Sequence, residues 1–105
     1  MSERRFRLFD TILSRCSNRI FSTIDEFREE IQKCIEEVNK EFNYPPDDVK
    51  FYLSSIMMRQ EGLRSVGERY MFVLISQSDP TIFMKIHVKR VDLPLGYIMY
   101  GVSVG

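Results

Sequence analysis

Apolar and polar positions in this chain follow two rhythms, and the switch between them divides it into a helical and an extended part. Across residues 24–42 the apolar residues are Ile24, Phe27, Ile31, Cys34/Ile35, Val38 and Phe42. Their spacing of three and four predicts a helix with one apolar stripe. Thr23, followed three residues later by Glu26, predicts a capping box in which hydroxyl and carboxylate each satisfy an orphan backbone N–H. Glu29–Lys33 and Glu36–Lys40 stand four apart in the favourable order on the polar side. Pro45 and Pro46 end the segment because neither can continue a helix. Before it, Phe6, Phe9, Ile12/Leu13, Cys16 and Ile20 fit a first helix starting near Ser2 or Glu3, with Ser17-Asn18 breaking it. A strand reading there fails, because Phe9 and Asp10 interrupt the alternation.

After the prolines the period falls to two. Residues 49–58, 70–76, 81–90 and 97–104 are rich in aromatic, β-branched and aliphatic residues and predict four strands. A polar loop over 59–68, with Gly62 and Gly67, joins the first two. Turns at 77–80 and 92–96 join the rest. The fold class expected is α+β: one or two N-terminal helices packed on one face of a four-stranded antiparallel β-meander, a single domain over 1–105.

Three of these strands are not alike. The third alternates cleanly, with Ile82, Met84, Ile86 and Val88 on one side and Phe83, Lys85, His87 and Lys89 on the other. The second (Tyr70 to Ile75) and the last (Tyr97 to Val104) are apolar on both sides, which asks for cover on both. Four strands about 4.8 Å apart and roughly seven residues long make a face near 20 by 23 Å. Two helices cover one such face and leave nothing for the other. On the uncovered face Lys85, His87 and Lys89 are expected beside one parity of each neighbour. That parity is Tyr97/Met99 or Ile98/Tyr100/Val102 in the last strand, and Tyr70/Phe72/Leu74 or Met71/Val73/Ile75 in the second. Large exposed apolar patches mark interfaces. Tyr97, Met99, Tyr100, Val102, Met71 and Val73 are therefore the partner-binding candidates.

Composition narrows the picture. Fifteen basic residues balance fifteen acidic ones, which removes the simplest case for a general polyanion binder. The chain is nevertheless dipolar. The N-terminal stretch carries Arg4, Arg5, Arg7, Arg15 and Arg19 against Glu3 and Asp10. Residues 25–50 carry nine Asp/Glu against Arg28, Lys33, Lys40 and Lys50. The remainder is mildly basic, so an anion can be bound locally. Cys16 and Cys34, without a CxxC neighbour or a histidine at ligand spacing, read as free core thiols. The N-terminus lacks a signal-peptide pattern, and no run approaches the ~18 apolar residues that cross a bilayer. The expectation is a cytoplasmic protein with no membrane partner.

His87 is the single histidine, so no zinc cluster can be assembled. No Walker or dinucleotide motif is present, and no cofactor, metal or catalytic residue is assigned. The reading placed first is a non-enzymatic accessory or regulatory protein, a homodimer, docking a protein partner through its sheet face or an exposed strand edge. The alternative is a nucleic-acid-binding module using Arg4, Arg5, Arg7, Lys85, His87, Lys89 and Arg90, with Tyr97 or Tyr100 as stacking platforms. A small hydrolase or nuclease built around His87 stands third.

Overall fold

The computed structural model describes residues 2–56, 60–61, 64–65, 67–92 and 94–104. Two helices precede a four-stranded antiparallel sheet, as the two rhythms require. Helix α1 (Glu3–Cys16) starts where the Ser2 hydroxyl accepts the Arg5 N–H at 3.1 Å. It stops at Ser17, followed by Asn18 in the left-handed region (φ 62°). Helix α2 (Ile24–Glu41) is capped by Thr23, whose hydroxyl accepts the Glu26 N–H at 3.1 Å. The Glu26 carboxylate accepts from the Ser22 N–H at 2.9 Å, one residue further out than the expected box. Asn43 (φ 59°) ends this helix, with the Tyr44 N–H closing back onto the Asn39 carbonyl. The ion pairs of α2 run to Arg15 and Arg7 of α1, from Glu37 and Glu41, and to Arg19 just beyond it, from Glu30, and not along the helix as its i,i+4 spacing suggested. Glu36 instead accepts from Gln32.

The sheet contains β1 (Val49–Ile56), β4 (Arg69–Ser76), β5 (Phe83–Asp92) and β6 (Leu95–Val104), in that spatial order. Between β1 and β4 the chain forms a further short hairpin, β2 (Gln60–Glu61) with β3 (Arg64–Ser65), where the sequence reads as a polar loop. Met57, Met58 and Gly62 lie outside the described residues. The turn before β5 also takes the residues expected to begin that strand. Ile82 N–H bonds the Asp79 carbonyl and Thr81 bonds the Asp79 carboxylate, so pairing starts only at Phe83.

Both helices lie on one face. Leu8, Ile12 and Cys16 of α1 and Phe27, Ile31, Ile35 and Val38 of α2 form one cluster with Phe72, Leu74, Met84, Ile86 and Val88 of the central strands. Phe27 stacks on Phe72 with ring centroids 5.5 Å apart, and Phe21 meets Phe27 edge-on at 4.7 Å. The two cysteines are both free and buried where α1 meets α2, and a hydrogen bond to Cys34 together with burial pushes the Cys16 thiol up.

The last strand is less two-faced than its composition suggests. Ile86 pairs with Val102 and His87 with Gly101, but Val88 pairs with Met99, so Tyr100 is an extra residue on β6. Side chains alternate with a period of two, so one inserted residue flips everything beyond it to the other face. Tyr97 and Met99 face the helices before the bulge, and Val102 faces them after it. The edge of β6 is also partly closed: Phe21 and Tyr97 exchange both backbone hydrogen bonds, at 2.9 and 2.8 Å. Gly96 makes this approach possible, because a Cβ there would sit 2.7 Å from the Phe21 carbonyl oxygen.

Candidate functional site

Among the described residues nothing covers the second face of the sheet. The register assigns its side chains. β1 contributes Lys50, Tyr52 and Ser54, and β4 contributes Arg69, Met71, Val73 and Ile75. β5 contributes Phe83, Lys85, His87 and Lys89, and β6 contributes Ile98, Tyr100 and Ser103. The parity left open by the second strand is thus Met71/Val73/Ile75. Lys50, Arg69, Lys85 and Lys89 bring four permanent cations, and His87 sits among them. No carboxylate lies on this face among the described residues. Aromatic groups punctuate it: Tyr52 and Tyr100 are 58% and 44% exposed, and Phe83 is half-buried.

The densest part surrounds Tyr100. Its ring lies 5.8 Å from the His87 ring, with the Arg69 guanidinium 5.4 Å and the Lys89 ammonium 5.8 Å from its centroid. Its hydroxyl is 3.4 Å from Arg69 Nη1. Arg69 is on β4, two strands from β6 at about 4.8 Å per strand. The Tyr100 hydroxyl and the Arg69 side chain therefore meet across β5.

The other sequence candidates fall elsewhere. Tyr97, Met99 and Val102 pack against the core, whereas Met71, Val73 and Tyr100 occupy the open face with Lys85, His87 and Lys89. Arg4 is 2% exposed and is a structural hub. Its Nη2 donates to Asp48 Oδ2 and to Asn39 Oδ1, each at 2.6 Å, and its guanidinium lies 3.5 Å from the Tyr44 ring centroid. Ser76 Oγ donates to the same Asp48 oxygen at 2.7 Å. Burial alone would raise the Asp48 pKa, but hydrogen bonds from Ser78, Ser76 and Arg4, with the Arg4 charge, bring it down to about 2. Arg7 pairs with Glu41 at 2.9 Å, and Arg5 lines a small recess with Phe6, Phe9 and Val104 on the helix side. Arg90 points away from Lys89 towards Glu68 (3.7 Å) and Asp92 (3.4 Å). Glu68 also accepts from the Tyr70 hydroxyl at 3.0 Å; burial and then this carboxylate push Tyr70 up to about 12.

Sequence reasoning passed over Lys50, Tyr52 and Arg69 as face residues. The signal was present, since each keeps the parity of an assigned neighbour: Arg69 lies two residues before Met71, and Lys50 pairs with Ile75. For catalysis, His87 Nε2 stands 3.3 Å from Ser103 Oγ. Among the described residues no carboxylate shares its face to orient the imidazole as the third member of a triad would. Among the described residues no group of three His, Cys, Asp or Glu side chains could hold a metal ion, and no helix is long and apolar enough to cross a membrane.

The geometry defines a two-layer α+β protein with an open, basic and aromatic sheet face. No protein-family model, curated protein or solved structure matches this chain.

Proposed function

We propose that this is a non-catalytic docking protein whose open sheet face binds a macromolecular partner carrying negative charge. The observation behind this reading is the composition of that face: Lys50, Arg69, Lys85 and Lys89 with no carboxylate among the described residues, interleaved with Tyr52, Phe83 and Tyr100. A face of one sign focuses field towards an oppositely charged partner. Its aliphatic floor of Met71, Val73 and Ile75 supplies area to bury. The same composition argues against a homodimer formed face to face. Two copies would set these cations against one another, and like charges across an interface cost several kcal/mol. The partner is therefore a different molecule.

Heparin, a sulfated polyanion without bases, tests the charge claim. Retention on a heparin column is expected to drop to near the void in the Lys85→Glu/Lys89→Glu variant. The helix-side control Lys33→Glu/Lys40→Glu, with the same change in net charge, is expected to elute like the parent. Equal loss in both variants would reduce the effect to net charge and remove the face from the account.

A further inference from the structure

We infer that the partner is a single-stranded nucleic acid, with one base stacked on Tyr100 and its flanking phosphates held by Arg69, Lys85 and Lys89. This inference rests on the docking face proposed above and names what occupies it.

Three observations favour a single strand over an acidic protein surface. The first is the exposure of Tyr100. The residue is 44% exposed on the open face, and its hydroxyl meets Arg69 of β4 there. An exposed aromatic ring on a sheet face offers a stacking partner to a planar group, and every unpaired base is one. The second is the arrangement of charge around that ring. Arg69 and Lys89 stand 5.4 and 5.8 Å from its centroid, and His87 at 5.8 Å. Cations packed against an exposed aromatic ring match a ligand that joins planar bases by charged linkages. The third is that the aromatic positions recur across the face. Tyr52 stands on the far edge strand and Phe83 at the end of β5. A duplex hides its bases from such a face, so only unpaired nucleotides can use the rings.

The charge of the molecule as a whole fits local binding and not indiscriminate attraction. Acidic residues outnumber basic ones over 1–48, which includes both helices, so the field of the protein points a polyanion to the sheet. Arg4, Arg7 and Arg90 are each engaged by a carboxylate. The strand's path therefore lies over the open face and does not draw on Arg4, Arg7 or Arg90.

Fluorescence anisotropy with labelled single strands of about 12 nucleotides, one DNA and one RNA of the same mixed sequence, tests this. Binding at low salt is expected, with log Kd changing with log salt at a slope of about 2 in magnitude for three neutralised phosphates. Tyr100→Ala is expected to weaken binding by ~5-fold or more, while Tyr100→Phe, which keeps the ring, stays within ~3-fold of the parent. The duplex of the same sequence is expected to bind more weakly than either strand. Circular dichroism melting of each variant confirms the fold, and Tyr100 lies outside the core. Single strand and duplex binding alike, with Tyr100→Ala unchanged, would overturn the nucleic-acid inference. If retention on heparin still depended on Lys85 and Lys89, that same result would leave an acidic protein surface as the occupant. No binding to oligonucleotide or to heparin at low salt would overturn both readings.

Discussion

The two faces of the sheet are made from the same strands, and they solve opposite problems. On the helix side Phe72, Leu74, Met84, Ile86 and Val88 are fully buried, and the one charged pair admitted, Arg4 with Asp48, is hydrogen-bonded on several sides. On the open side, residues one position along in sequence are half-covered, and four cations stand, among the described residues, without a carboxylate. The core side thus shows what a charge requires when it belongs to the fold: an opposite charge, further donors and an aromatic lid. The open side gives Arg69 a ring and a hydroxyl in Tyr100 but, among the described residues, no carboxylate, and that difference separates a structural arginine such as Arg4 from a docking arginine such as Arg69. Formal charge cannot tell them apart.

Substitutions on the two faces can break this comparison. The largest effect is expected for Phe72→Ala, at about 4 kcal/mol in urea denaturation, from lost burial and the cavity left under Phe27. Its sequence neighbour Val73→Ala on the open face is expected to cost under ~1 kcal/mol. Similar losses at both positions would mean that the open face is packed as tightly as the core.

Arg4→Ala comes next, at about 3 kcal/mol, because it strands a buried carboxylate. Lys85→Ala is expected to stay within ~0.5 kcal/mol. The pair also carries a pH signature. The Asp48 pKa in the folded protein lies near 2, below the ordinary carboxylate value. Its stabilisation is therefore fully present above about pH 4 and is lost as the pH falls through about 2. The Arg4→Ala variant, already deprived of that stabilisation, is expected to lose less on acidification than the parent. Parallel acid profiles would remove Asp48 from the account.

The alternating pattern made much of this legible in the sequence. Ser2, Thr23, Asn18 and Asn43 announce the helix ends, because caps depend on local side chains. Third-strand alternation located both faces, since Ile86 and His87 differ in kind. Three features were out of reach for physical reasons. The bulge at Tyr100 has no local signature, so Val102 could not be assigned to the core side. The closure of β6 by Phe21 joins residues 76 positions apart and shows itself only through the space that Gly96 leaves. Arg4 stood among the nucleic-acid candidates because its partners Asn39, Asp48 and Ser76 come from three distant segments.

The central claim is that the open face, and no other surface, receives the partner. Amide chemical-shift mapping by NMR during titration with a short heparin oligosaccharide tests it most directly. Shifts are expected to concentrate at Arg69, Met71, Val73, Lys85, His87, Lys89 and Tyr100, while the amides of α1 and α2 stay in place. Shifts centred on Arg5, Arg7, Arg15 or Arg19 at the helix layer would contradict it.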